Sequence, residues 1–181
     1  PVDEWDAIAV SYTSGTTGDP KGVMLTHDNI YSNVSSARTV IPFTGTDVAL
    51  SFLPLSHIFE RMAGHYLMFS TGTTIAYAES VDTVPINMQE VRPTLVASVP
   101  RLYEKMYARV LENALAGSGV KKRIFFWARK VADRWADEKL AGREPKGLLA
   151  MQYRIAQKLV FSKLKARTGG RLRYFVSGGA P

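Results

Sequence analysis

The 181-residue sequence contains no cysteine. Disulfide frameworks and thiolate chemistry are thereby excluded. Histidine is scarce: His27, His57 and His65 are the only three, and their spacing matches no zinc-binding pattern. Redox and structural-metal roles are therefore not expected. No apolar run approaches the roughly 18 residues of a membrane span, and the opening residues PVDEWD lack the basic-then-apolar order of a secretory leader. The expectation is an intracellular, cytoplasmic protein. Internal repeats and low-complexity linkers are also missing.

Acidic residues are scarce in one half only. Residues 1–100 hold four Lys or Arg against ten Asp or Glu, whereas residues 101–181 hold nineteen against six. The halves thus carry formal charges of −6 and +13 within a net charge of +7. An anionic membrane surface, nucleic acid or an ordinary solvated helical surface each accounts for such asymmetry. Nucleic acid is the poorest of the three, because no stacking motif or recognition helix accompanies the charge. Hydrophobic residues at 46% with 22% charged residues fit a globular chain able to bury a sizeable core.

What is present is an alternation of strand and helix patterns. AIAVSYT (7–13) and GVMLT (22–26) read as strands flanking a glycine-rich segment, and HDNIYSNVSSARTVI reads as a helix capped by Thr26. DVALSFLPL (47–55) predicts a strand, SHIFERMAGHYLMF a helix ended by Gly72, and TTIAYA another strand. TVPINMQEVR predicts a weaker helix interrupted near its start by Pro85, followed by the strand TLVASVP (94–100). RLYEKMYARVLENALAG opens a helical stretch of about seventy residues, with helices over 120–141 and 146–167 separated by GREP and closed by Gly169 and Gly170. LRYFVSGG restores a strand. The pattern predicts an α/β fold of βαβ units around a mainly parallel sheet, with a helical insertion over 117–168. The chain begins with Pro and stops directly after a strand-like run, so a piece of a larger protein is expected.

YTSGTTGDPKG (12–22) concentrates short hydroxyls and glycines ahead of Lys21. Phosphoryl oxygens need donors from several directions; the hydroxyls supply some, glycines let amides turn inward, and Lys21 adds a mobile point charge. Pro20 offers no amide, and Asp19 must face outward. The segment is not a Walker A loop, because Pro20 stands where that motif has glycine and Gly22 where it has serine or threonine. Composition and spacing leave a polyphosphate cradle and an unusual structural turn equally open.

The longer stretch YTSGTTGDPKGVMLTH resembles the phosphate-binding signature of the adenylate-forming enzyme superfamily, and SFLPLSHIFER, RPTLVASVPRLYEKM and LRYFVSGGAP follow in the matching order. Within the superfamily, PLSHIFER, VPRLYEKM and the long helical stretch before YFVSGGAP resemble the bacterial long-chain fatty-acid CoA ligases. The resemblance spans nearly the whole chain. It implies a partial AMP-binding large domain over 1–181, with the small C-terminal domain absent. It also implies ATP, Mg²⁺ and coenzyme A as reaction partners: a fatty carboxylate attacks ATP to give acyl-AMP, and coenzyme A then displaces AMP. The fragment alone is expected to be inactive. An adenylation module for another carboxylic or amino acid, and a noncatalytic nucleotide-binding fragment, remain open alternatives.

The same resemblance assigns residues. Ser14, Gly15, Thr16, Thr17, Gly18 and Lys21 would cradle the β- and γ-phosphates, with Ser14 also facing Mg²⁺. His57 would orient the carboxylate, against the alternative of a histidine that merely caps or packs. Arg61 is either a supporter of that site or the partner of an acid such as Glu60. Arg101 and Tyr103 would line the acyl tunnel or cleft, or simply pack. Gly178, Gly179 and Ala180 would let the adenine approach the backbone. The basic, aromatic stretch containing Phe125, Phe126, Trp127 and Trp135 fits either peripheral contact with the inner face of the membrane or packing within the protein. Uncovered apolar faces of a fragment could also pair as a homodimer.

Overall fold

The computed structural model describes residues 1–13 and 18–179. Strands β1 (Ala7–Thr13) and β2 (Lys21–Thr26) form an antiparallel hairpin of their own. They do not join the parallel sheet that the strand pattern predicts for the whole chain, and the reason is connection length. Residues 14–20 suffice to reverse the chain, whereas a parallel crossover needs about a dozen residues or more. Helix α1 (His27–Val40) follows at once. Its start is a capping box: the Thr26 hydroxyl accepts the Asn29 amide at 3.2 Å, and the Thr26 amide donates to the Asn29 side chain at 3.1 Å.

The second sheet holds β3 (Val48–Ser51), β4 (Thr74–Tyr77), β5 (Leu95–Ser98) and β6 (Tyr174–Ser177). All pairings are parallel, in the order β4-β3-β5-β6. A π-helical segment (Glu60–Tyr66) running into α2 (Leu67–Ser70) links β3 to β4. Helix α3 (Val84–Val91) links β4 to β5. Between β5 and β6 lie α4 (Pro100–Leu115), α5 (Gly119–Leu140), α6 (Gly147–Ala156), a second π-helical segment (Gln157–Phe161) and α7 (Ser162–Arg167).

Successive strand residues face opposite sides, and here both sides are covered. Ala49 and Leu95 pack with Val34, Leu67 and Met68 from α1 and α2. Leu50 and Val96 pack with Val84 and Met88 of α3 and with Met106 of α4. Such two-sided burial is what a parallel sheet requires. A third cluster, Ala128, Val131 and Ala156, joins α5 to α6.

Three local expectations change. The strand expected over 47–55 pairs only through Ser51, whose carbonyl accepts the Ala78 amide; Pro54 cannot extend the ladder. Pro85 sits in the first turn of α3, where its missing N–H costs nothing, so it starts the helix instead of interrupting it. The helix expected over 146–167 is present but widens into a π turn at 157–161. Gly72, Gly169 and Gly170 adopt φ of 69°, 82° and 77°, as helix-ending glycines should.

The incoming ends of β3, β5 and β6 are fastened by one carboxylate. Asp47, 2% exposed, accepts the Thr94 hydroxyl at 2.6 Å, the Thr44 amide at 2.7 Å and the Arg173 guanidinium at 2.8 Å on both oxygens. Burial alone would raise this carboxyl, but the Thr94, Thr44 and Arg173 hydrogen bonds hold it below the usual 3.8. Asp47→Ala strands a guanidinium and a hydroxyl, and is expected to cost about 3 kcal/mol, read as a lower urea midpoint of the full-length protein. Since the folded carboxyl is depressed, its contribution is present above pH 3.8 and lost as pH falls through the lowered value. Asp47→Asn should flatten that acid limb.

Candidate functional site

The chain leaves β3 toward β4 on one side and leaves β5 toward β6 on the other. The loops after β3 and β5 therefore diverge at the outgoing strand ends, the preferred place for ligands in parallel sheets. Ser51, Ser98 and Ser177 end β3, β5 and β6 there, and Ser98 pairs with Ser177 in register.

The segment after β3 fills the rim. The His57 amide donates to the Pro54 carbonyl at 2.9 Å, and the His57 carbonyl accepts the Arg61 amide at 3.1 Å. The Phe59 amide donates to His57 Nδ1 at 3.2 Å. With Nδ1 accepting, the neutral ring carries its proton on Nε2, leaving that N–H as a donor on an exposed side chain. His57 thus caps a turn and still presents a polar atom.

Glu60 and Arg61 do not pair with each other. Arg61 Nε donates to the Leu55 carbonyl at 3.1 Å, while Glu60, 1% exposed, turns inward and accepts the Ser51 hydroxyl at 2.5 Å. Burial pushes the Glu60 carboxyl up, a shift the Ser51 hydrogen bond only partly offsets.

Gly178 and Gly179 follow β6 directly. The Gly178 amide donates to the Ser98 carbonyl at 3.2 Å, continuing the ladder beyond the strand. A Cβ on Gly178 would overlap the Phe59 ring, and one on Gly179 would lie 3.4 Å from it. Phe59 therefore occupies the space that these glycines leave. The structure gives the small residues a packing reason on that side, where the resemblance invokes an approaching base.

The hydroxyl of Tyr103, on α4, reaches the carbonyls of Val96 at 3.1 Å and Val176 at 2.8 Å, and its ring meets Phe175 edge-on with centroids 5.0 Å apart. It clamps α4 onto the β5–β6 pair. Burial pushes its hydroxyl far above the ordinary tyrosine value.

The fold thus gathers His57, Gly178 and Gly179 at one sheet edge through Phe59. Gly18 and Lys21 belong to the hairpin: Lys21 opens β2, pairs with Thr13 and is exposed, and its carbonyl accepts the Thr13 hydroxyl at 3.4 Å. Among the described residues, no hydrogen bond joins these two to the strand ends. Ser14, Gly15, Thr16, Thr17 and Ala180 lie outside the described residues. No cluster of three His, Asp or Glu suited to a metal occurs among the described residues. The aromatic stretch of α5 turns inward: Trp135 stacks on Tyr153 with centroids 4.0 Å apart, and Trp127 packs against the α5–α6 cluster.

Phe59, Ser51 and Ser98 were not singled out from the sequence, and Glu60 was named only as a partner for Arg61. Glu60 left a trace there, since it occupies the position of an apolar stripe continued by Gly64 and Leu67. An acid in such a stripe signals a buried, partnered carboxyl.

The family model for AMP-binding enzyme matches residues 1–181. A peroxisomal long chain acyl-CoA synthetase 6 of Arabidopsis thaliana is 37% identical over 181 residues, covering 97% of this chain and 24% of the relative. The human long-chain-fatty-acid–CoA ligase ACSBG2 is 37% identical over 175 residues, covering 94% of this chain and 26% of the relative. An ATP-bound RpMatB-BxBclM chimera matches in fold, with a TM-score of 0.59 at 24% identity over 99% of this chain and 25% of the other. This chain spans about a quarter of the length of these proteins.

Proposed function

The chain belongs to the AMP-binding enzyme family, and on that premise we propose that the intact protein is an ATP-dependent long-chain fatty-acid CoA ligase. A carboxylate oxygen of the fatty acid bonds to the α-phosphorus of ATP as the bond to pyrophosphate breaks. The thiol of coenzyme A then loses its proton and attacks the acyl carbon, releasing AMP. The observation that carries this reading is convergence: PLSHIFE, ASVP and VSGG, far apart in sequence, meet at the diverging ends of β3, β5 and β6.

In this reading the His57 Nε2–H donates to an oxygen of the acyl carboxylate or of the α-phosphate. Lys21, Gly18 and the hydroxyls at 14, 16 and 17 hold the leaving pyrophosphate, where fixed donors stabilise developing charge. Ser14 would face a magnesium ion bound with the phosphates, which would supply neutralisation of part of that charge. A cavity of about 850 Å³ between α3, α4, α5 and α7, lined by Met88, Leu102, Met106, Val110, Phe125 and Leu164 together with charged side chains such as Lys105, Arg109 and Asp133, has the size to take a long acyl chain. Residues 117–168 are assigned as a helical insertion of the large domain. The groups that complete both half-reactions are assigned to chain beyond these 181 residues.

No helix among the described residues is long and apolar enough to cross a membrane. Peripheral contact is assigned to α6 and its continuation. Leu148, Met151, Ile155 and Leu159 are 44–65% exposed there, and residues 146–167 contain six Lys or Arg and no acid. Flotation of the full-length protein with phosphatidylserine vesicles, abolished by 0.5 M salt or by Leu148→Glu/Ile155→Glu, tests that assignment.

Acid-dependent ATP–pyrophosphate exchange by the full-length enzyme tests the main one, using acetate, octanoate, palmitate, an aromatic acid and amino acids. Palmitate should support the fastest exchange. Exchange with amino acids alone would replace the ligase by an adenylation module of another class.

A further inference from the structure

Glu60 is a buried carboxyl at the outgoing end of β3, and nothing in the two half-reactions uses it. None of the ion pairs formed by the described residues includes it. Its Oε1 accepts the Ser51 hydroxyl, whereas Oε2 is buried without a partner, as is the hydroxyl of Ser98 on the neighbouring strand. An ionised carboxylate with a bare buried oxygen would carry a desolvation cost of several kcal/mol. The Ser51 bond is therefore the one polar contact that holds the carboxyl in place among the described residues.

The surroundings hold the carboxyl where it is. The π-helical segment packs against β3 and β5, which present Ser51 and Ser98. A Cβ on Gly64, one turn along, would overlap Glu60 Oε1, so the glycine makes room for the carboxyl. Arg61 is engaged by the Leu55 carbonyl, and His65 Nδ1 lies 3.1 Å from the Tyr77 hydroxyl. Helix α1, packed on the same segment, carries His27, Asp28 and Arg38, and none of these pairs with Glu60. Phe59, the preceding residue, lies against Gly178 and Gly179 and donates its amide to His57.

We propose that Glu60 is a positioning residue of the adenylation site: by accepting the Ser51 hydroxyl it locks the π-helical turn to the end of β3, and so fixes the Phe59 ring against the β6 glycines together with the turn that carries His57. This rests on the ligase reading for its catalytic consequence, but its structural consequence is measurable separately.

The experiment compares full-length wild type, Glu60→Gln, Glu60→Ala and Ser51→Ala by palmitate-dependent ATP–pyrophosphate exchange from pH 6 to 9 and by amide hydrogen exchange. Glu60→Gln, a neutral isostere, should keep kcat within about threefold, whereas Glu60→Ala should lose about a hundredfold in kcat through misplacement, with KM for ATP little changed. Ser51→Ala should fall between them. Amides of residues 52–59 should exchange faster in Glu60→Ala, and those of the β1–β2 hairpin should not.

Equal losses in Glu60→Gln and Glu60→Ala would mean that an oxygen acceptor for Ser51 is not what positions the turn, and would overturn the proposal. So would wild-type rates and protection in Glu60→Ala. If that variant fails to fold, the Glu60→Gln and Ser51→Ala pair decides by the same measures. If wild type exchanges with no acid, the ligase reading fails, and the protection pattern of residues 52–59 still decides the role of Glu60.

Discussion

Lys21→Ala in the intact enzyme should lower palmitate-dependent ATP–pyrophosphate exchange by about a hundred- to a thousandfold, the usual cost of removing one preorganised charge donor from a phosphoryl-transfer site. The ammonium is presented by the first residue of β2, immediately after Pro20, whose ring fixes the backbone entering that position. The pairing of Lys21 with Thr13 sets where the side chain leaves the hairpin. Lys21→Arg is not expected to rescue, because a planar fork replaces a compact point charge. Steady-state kcat and KM for ATP, with the melting temperature as a control, read the outcome. A loss below threefold would remove Lys21 from the phosphate site.

Gly169→Ala should be the most damaging single methyl in the described structure, costing about 3–5 kcal/mol of folding free energy. Gly169 is buried with φ of 82°, a conformation that already penalises any side chain. A Cβ there would overlap the Met88 carbonyl oxygen and come within 2.7 Å of Arg92 Cα. Both obstacles are backbone. The reversal after α7 is interlocked with the one after α3, where Arg92 itself adopts φ of 52° and donates from Nε to the Gly169 carbonyl at 3.0 Å. Gly170→Ala supplies the contrast: φ is 77°, but nothing lies within 4 Å of the added carbon, so only the left-handed strain of about 1–2 kcal/mol remains. Urea unfolding of the two variants should separate them by about 2 kcal/mol or more. Indistinguishable midpoints would mean that the two helix ends move apart at little cost.

Local chemistry made much of the fold legible. Thr26 before an apolar-periodic run, Gly72 after one, and Gly169–Gly170 closing another are signals set by a few neighbouring atoms, and all three mark real boundaries. What depends on distant partners was not legible. Residues 22–26 look like any strand, and only the length of the connecting segment assigns them to a hairpin. Asp47 and Arg173 are 126 positions apart, and nothing near either one announces the other. Of the site, the motifs pointed to His57 and the glycines of β6. They said nothing of Phe59 between them, because a phenylalanine beside a histidine reads as ordinary core. The π turns also escaped, since one residue of extra winding leaves the apolar period almost unchanged.

The clamp that Tyr103 places across β5 and β6 has an optical consequence. Its hydroxyl reaches two carbonyls in a partly buried setting, so tyrosinate is disfavoured there while α4 stays seated. Because its ionisation is displaced above the ordinary 10.0, the stability it lends is whole below that pH and drains away as alkalinity rises. In an ultraviolet titration, the absorbance that distinguishes wild type from Tyr103→Phe should emerge abruptly with alkaline unfolding, and not as a smooth phenolic curve.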